Sequence, residues 1–276
     1  MAFENEIKKY EELRQRYQSL IINKMDREEY IMYNEVLFST HSCAIEGNSF
    51  SVDDTRELKE KGLGMIPAGK TLFEAFEMLD HFEAYEYMIQ HLQHPLDENL
   101  LKEINKRVTL HTLRSPDAIP GEYTTTDMAA GDTVFGDHEE LIARVPQLLE
   151  STEKAIQAVI QAKNADRKQK EATNALHPMV LAARFHGFYE YLHPFRDGNG
   201  RTGRLISNYI LLRLGHPLLV IPSGCRNEYF SALRMIRTEA TDEHLIHFFF
   251  KMATDRMEQE IKQKEANTNR FRAFLF

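Results

Sequence analysis

The sequence predicts a mainly α-helical protein with one small β element, and three observations carry that prediction. Apolar residues recur at helical spacing through most of the 276 residues. Glycine and proline fall at the ends of the periodic stretches, as at Gly47, Pro95 and Pro178. The periodicity breaks at length between about 115 and 137, where turn residues surround two short extended candidates.

Taken in order, Tyr10, Leu13, Tyr17, Leu20 and Ile21 form the apolar face of a first helix. Ile31, Phe38 and the stretch 42–45 continue on a second, which Gly47 is placed to end. A charged segment and a Gly/Pro-containing loop cover 53–70. Leu72, Phe76, Leu79, Phe82 and Ile89 then mark a helix that stops before Pro95. Asp97 suits the N-cap of another, running through Leu100, Leu101, Ile104 and Val108. Within the irregular segment, 123–126 and 133–135 fit the two strands of a hairpin. Helical spacing resumes at 138, with Pro146 as a kink or restart, and passes Leu149, Ile156 and Ile160. The polar run at 164–174 reads as a solvated helix end and loop. Pro178 opens a helix whose apolar face holds Leu181, Phe185, Phe188 and Leu192. Leu205, Ile206, Tyr209 and Leu212 carry the next, and further helices are expected over 226–239 and 242–262 before a polar tail. The expected division is an N-terminal helical region at 1–104, a core at 105–255, and a helix end and tail at 256–276.

A hydrophobic content of 42% is enough for a substantial core. The formal charge of −8, from 42 acidic and 34 basic residues, gives no long-range attraction to nucleic acid or anionic membrane, so neither is expected as a partner. Cys43 and Cys225 are the only cysteines, which excludes a disulfide scaffold and a thiolate zinc site. The first residues, MAFENEIKKYEELRQRY, lack an apolar leader, and no run reaches membrane-spanning length. A cytoplasmic setting is the expectation.

The chemistry concentrates in His193-Pro-Phe-Arg-Asp-Gly-Asn-Gly-Arg-Thr-Gly-Arg204. Gly198-Asn199-Gly200 lies between two helical patterns. Glycines there let backbone N–H groups turn toward an anion, and the following helix adds its positive end. Asn199 is a candidate cap for that helix. Arg201 and Arg204 are three apart and share a helical face, where guanidinium groups can grip separate phosphoryl groups. Asp197 is no phosphate donor, but beside bound phosphates it suits a Mg²⁺ ligand. His193 is the one group in the run that readily accepts a proton near neutral pH. Phe195 is expected beneath the loop. Taken singly, a lone histidine is usually structural and spaced arginines often serve a solvated face. Their combination points to a nucleotide's phosphates.

The run 193–204 resembles the Fic (Fido) family, whose signature HPFx(D/E)GNGRxxR it meets without a gap. The resemblance extends over about 105–255 and implies a Fic-like helical core with a small β-hairpin flap. It implies a Mg-dependent protein adenylyltransferase that moves AMP from ATP to a Ser, Thr or Tyr hydroxyl of a target protein, itself among the candidates. By that resemblance His193 deprotonates the hydroxyl and Asp197 holds Mg²⁺. Gly198, Asn199 and Gly200 bind the α and β phosphates, Arg201 assists on the β phosphate, and Arg204 takes the γ phosphate. Thr202 and Gly203 complete the nucleotide-binding run. Arg226-Asn-Glu-Tyr229 with Ala232-Leu233 resembles the family's RxxYxxAL stretch, which brings Tyr229 near adenosine. Val134, Phe135 and Gly136 resemble the flap that aligns a target segment by backbone pairing. One departure stands nearby: many members have Gly-x-Tyr-Arg before the flap, whereas this chain has Gly121-Glu-Tyr123-Thr124.

Ser42-Cys-Ala-Ile-Glu46-Gly47-Asn48 resembles the family's inhibitory signature, (S/T)xxxE(G/N), on a helix expected at about 29–47. Ser42 and Glu46 share one helical face. A carboxylate reaching Arg204 would occupy the arginine needed for the γ phosphate and leave ATP misplaced for transfer. Alone, Glu46 reads as a surface glutamate at a helix end. Three alternatives stay open: removal of AMP from modified protein, transfer of another nucleotide or phosphate-containing group, and a weakly active nucleotide-binding regulator. The N-terminal helices are also candidates for contact with a second copy of the chain.

Gly64-Met-Ile-Pro-Ala-Gly69-Lys70-Thr71 matches GxxxxGK(S/T) in form. The preceding residues are charged and helix-like rather than a buried strand, and Pro67 removes a backbone donor. A loop leading into the next helix, with Lys70 solvated, is the expected role.

Overall fold

Each helix starts where the local chemistry allows it. The structure, a computed structural model, describes residues 3–64, 66–130, 133–164 and 176–266. Helix α1 (Glu4–Leu20) is followed by α2 (Arg27–Ile45), which Asp26 caps by accepting from the Glu28 and Glu29 amides at 2.8 and 3.2 Å. Helix α3 (Val52–Lys61) takes up the first half of the charged stretch expected to end in a loop. A capping box between Ser51 and Asp54 starts it, and buried Thr55 and Leu58 hold it down. A second capping box, Thr71 with Glu74, starts α4 (Leu72–Gln90), and Asp97 caps α5 (Glu98–Val108) at 2.8 Å.

After the irregular segment come α6 (His138–Ile142) and α7 (Val145–Asn164), the restart placing Pro146 in the first turn of α7. Then follow α8 (Pro178–Leu192), α9 (Asn199–Arg213), α10 (Arg226–Thr238) and α11 (Glu243–Ala266). The expected loop at 164–174 and the polar tail fall almost wholly outside the described residues.

The β element differs from expectation in its pairing. Strand β1 (Ala129–Ala130) runs antiparallel to β2 (Thr133–Val134), with Ala129 opposite Val134. The segment 123–126 is not its partner. Tyr123 forms an isolated bridge with Phe195, and the Thr124 amide donates to the Pro194 carbonyl at 2.9 Å. Where the chain leaves α8 its backbone needs hydrogen-bond partners, and the 123–124 stretch supplies them.

Helices α8 and α9 form the central pair; α1 lies along α11, and α4 packs on α2 and α5. One apolar cluster runs from Tyr10 and Tyr17 through Leu101, Phe185 and Tyr209 to Phe249 and Ile261, so the N-terminal helices share the main interior. A smaller cluster of Cys43, Phe50, Leu58, Ala75, Met78 and Phe82 joins α2, α3 and α4. Truncating Phe82 within it would cost about 3–5 kcal/mol.

Polar contacts tie α1 to the start of α8. Glu11, His177 and His216 bring three ligand-type atoms within 4.8 Å of one another. The hydrogen bonds give them a structural job. His177 Nδ1 accepts from the Met179 amide at 3.2 Å, which puts the ring proton on Nε2, and Nε2 donates to Glu11 Oε1 at 3.1 Å. Arg14 pairs with the other Glu11 oxygen at 2.7 Å, and Tyr10 Oη lies 3.0 Å from His216 Nδ1.

Candidate active site

The loop 193–198 leaves α8 through a left-handed residue. His193 is the C-cap of that helix at φ 48°, ψ 55°, its amide still bonded to the Tyr189 carbonyl at 2.9 Å. A non-glycine residue held there is strained, and such strain is kept where the surroundings over-determine it. The Phe135 ring stacks on the imidazole at 3.9 Å and 19°. Phe195 is buried as expected, against the Tyr123 ring.

Gly198, not Asn199, is the N-cap of α9, at φ 75° and without a side-chain cap. A Cβ there would lie 2.7 Å from Thr109 Cγ2, so both backbone and space require glycine. Asn199 serves the loop instead. Its Nδ2 donates to the Phe195 carbonyl at 2.7 Å and its Oδ1 accepts from the Phe195 amide at 3.0 Å. Closing the loop across four residues satisfies two buried backbone groups that a helix cap would leave orphaned. From α5, Asn105 donates to the Asp197 carbonyl at 3.0 Å and to Thr202 Oγ1 at 3.2 Å.

Asp197 is 45% exposed at its side chain, and its Oδ1 accepts from the Gly198 amide at 2.5 Å and from Arg201 Nη2 at 3.2 Å. Arg201 is buried, with Nη1 2.7 Å from Glu77 Oε1 on α4. That approach is off-axis, so Arg201 Nε and Nη1 are buried donors without an aligned acceptor. Burial raises the Glu77 carboxyl above its ordinary value against the opposing pull of Arg201 and of Asn48, which donates to it at 2.8 Å.

Arg204 is the most heavily engaged group of the site. Its Nε donates to Ser42 Oγ at 3.0 Å, and Nη2 donates to the Ser42 carbonyl at 2.8 Å and to Glu46 Oε1 at 2.7 Å. Nη1 reaches Tyr229 Oη at 3.4 Å. Burial works against the Arg204 charge, but the Glu46 carboxylate outweighs it and raises the pKa above its ordinary value. Glu46 Oε1 also lies 2.3 Å from where a Cβ on Gly200 would stand, against the first turn of α9. One carboxylate therefore covers both Arg204 and the start of α9.

Tyr229 is fully enclosed, its hydroxyl 2.6 Å from His186 Nε2. Burial pushes this phenol up and holds His186 down at about 4, so the imidazole is neutral. Gly203 packs where a Cβ would meet Tyr189 and His186. Val134 is 75% exposed on β2, Phe135 donates its amide to the Met128 carbonyl at 3.0 Å, and Gly136 turns the chain at φ 108°.

Several residues of the site escaped the sequence reading. Glu77, with Asp80 and His81, forms a polar i, i+3, i+4 stripe on the buried side of α4, and that stripe was the available signal. Arg226 Nε donates to the Ile45 carbonyl at 2.6 Å, closing the end of α2. Arg237 lies over the Phe135 ring at 4.4 Å and donates to the Glu190 carbonyl at 3.0 Å. Lys70 contacts the Ser49 carbonyl and Asp54 Oδ2, the latter at 3.4 Å, so the GxxxxGKT-like run clasps a loop. Met65 lies outside the described residues.

Fold and loop both resemble those of known proteins. The model of the Fic/DOC family matches residues 95–211. It is 32% identical over 201 residues to "Protein adenylyltransferase Fic" of Drosophila grimshawi, covering 71% of this chain and 36% of that protein. With "Protein adenylyltransferase fic-1" of Caenorhabditis briggsae it shares 29% over 222 residues, covering 79% and 38%. The chain thus spans little more than a third of the length of these curated relatives. A Fic domain containing signaling protein from Bacteroides thetaiotaomicron has the same fold, with a TM-score of 0.73 at 23% identity over 94% of this chain and 97% of that one. No helix among the described residues is long and apolar enough to cross a membrane.

Proposed function

We propose that the chain transfers AMP from ATP to a Ser, Thr or Tyr hydroxyl of a protein, and that Glu46 holds it in an inhibited state. The observation that carries this reading is the 2.7 Å contact between Glu46 Oε1 and Arg204 Nη2, made while the same carboxylate lies against the start of α9. An anion is already bound where a triphosphate would end, and it belongs to the protein.

The remaining groups suit their roles. Arg201 keeps buried donors without aligned acceptors, which fits a phosphate oxygen. The half-exposed Asp197 has Oδ2 without a protein partner among the described residues, which fits a hard cation. A Mg²⁺ there would neutralise phosphate charge. Gly198 and Gly200 open the backbone of the loop to the phosphates, beside Asn199, Thr202 and Gly203. His193 takes the proton of the attacking hydroxyl. Its oxygen forms a bond to the α phosphorus as the bond to the β-phosphate oxygen breaks, and pyrophosphate leaves. Tyr229 backs Arg204 from inside. The hairpin formed by β1 and β2 is the flap, and the exposed backbone around Val134 suits pairing with an extended target segment. In this scheme 105–255 carries transfer and 1–104 carries control.

The test is intact-mass analysis of the Glu46→Gly protein incubated with Mg²⁺ and each nucleoside triphosphate in turn. Gain of one AMP, absent when His193→Ala is added, is the expected result. Tight ATP binding with no transfer to the protein or to any added protein would leave a nucleotide-binding regulator in its place.

A further inference from the structure

To act as a base His193 needs its ring held in one orientation and one tautomer. Three buried polar atoms in one neighbourhood have no hydrogen-bond partner: His186 Nδ1, Glu190 Oε1 and His193 Nδ1. Buried polar groups in native proteins are nearly always paired, and exceptions gather at working sites. His186 and Glu190 lie one turn apart on α8, and His193 follows as its left-handed C-cap. Glu190 Oε2 lies 3.8 Å from His193 Nδ1, with the two side chains 12% and 16% exposed. Gly203 on α9 makes the room, because a Cβ there would come within 3.0 Å of Glu190 Oε1 and 2.9 Å of His186 Nδ1.

We infer that Glu190 is the positioning residue for His193, its carboxylate drawing the ring proton to Nδ1 so that Nε2 keeps its lone pair for the target hydroxyl. The inference rests on the reading of His193 as the base. A carboxylate only accepts, and His193 Nδ1 is the imidazole nitrogen in ion-pair range of Glu190. The Phe135 ring fixes the plane of His193 from its other face. In transfer the hydroxyl proton goes to Nε2, Nδ1–H stays on the ring, and Glu190 faces the imidazolium without taking its proton. The 3.8 Å gap closes as that charge forms, as catalytic contacts commonly do. Burial pushes the Glu190 carboxyl up, but His193 and the nearby His186 and Arg204 pull it below its usual range, so it is anionic. The charged and titratable groups facing it are His186 and Tyr189 on α8, His193 at its C-cap, Arg204 on α9, and Tyr229 and Arg237 on α10.

Glu190→Gln keeps the shape and removes the charge. In the Glu46→Gly background its automodification rate is expected to fall about tenfold at pH 7 with ATP affinity unchanged, and the acidic limb of the pH–rate profile to move to lower pH. Glu190→Asp should restore part of the rate. The imidazole ¹⁵N titration of His193, assigned with His193→Asn and followed in the protein with Glu46 intact, reads the same shift without any turnover. An unchanged His193 titration and tautomer in a folded Glu190→Gln protein overturns the inference. Transfer that survives His193→Ala overturns the base reading instead, and the two failures are distinguishable.

Discussion

Replacing Glu46 by Ala should make the protein less stable and more responsive to nucleotide at the same time. Glu46 supplies one charged hydrogen bond to Arg204, and the guanidinium keeps its contacts to Ser42 Oγ, the Ser42 carbonyl and Tyr229. Breaking a fully buried pair costs about 3–5 kcal/mol. Glu46 is 31% exposed, and three other acceptors remain, so a loss of about 2 kcal/mol is the better figure. For a chain of this size that lowers Tm by about 4–8 °C. Saturating MgATP then acts in the opposite direction. A ligand at a hundred times its Kd adds about 2.7 kcal/mol to the folded state. On the proposed function the γ phosphate in the variant meets an Arg204 relieved of Glu46, whereas in the native chain it must first displace that carboxylate. Thermal unfolding with and without MgATP should therefore show the larger nucleotide shift in Glu46→Ala. Equal shifts in the two proteins, or an unchanged Tm without nucleotide, would refute the assignment of Arg204 as the shared contact.

Other expectations follow from the same contacts. Arg226→Ala removes the donor that closes α2 at the Ile45 carbonyl; basal automodification with labelled ATP should rise severalfold, less than for Glu46→Gly. By titration calorimetry Arg204→Ala should abolish ATP binding, while Lys70→Ala, which loses only contacts to Ser49 and Asp54, should leave it unchanged. Burial holds His186 at about 4 and His216 at about 3, both below the ordinary 6.5. The unfolded chain then binds more protons below pH 6.5, so stability falls as pH drops through that value, by up to about 1.4 kcal/mol per unit for each ring. Urea unfolding at pH 7 and pH 5 checks this, and equal stabilities would count against two buried neutral imidazoles.

The legible part of the site was local. Asp97, Pro178 and Gly47 marked helix ends because capping and backbone limits act within a few residues. The glycines between two helical patterns marked the loop from His193 to Gly198 for the same reason. Asn199 was misread as a helix cap. Its position before a helix is equally consistent with a side chain turned back to Phe195, and only the path of the loop decides. The hairpin partner was misplaced because two-residue strands carry no periodicity, and Tyr123 was claimed by Phe195 across the loop. Glu77 and Glu190 escaped because a charged residue in an apolar helix looks like an exposed face until its neighbours are known.

By itself the sequence determined the helical class, the positions of most helices, and where between two of them the twelve-residue run 193–204 falls. These follow from short-range spacing and backbone chemistry, which a linear pattern records. Tertiary structure alone decided which charges meet: Glu46 with Arg204, Glu77 with Arg201, Glu190 beside His193. Each pair except the last lies more than a hundred residues apart in the chain, and Glu190 reaches His193 only because α9 brings a glycine against it. Burial then sets what each contact is worth, and burial is a property of the packed helices.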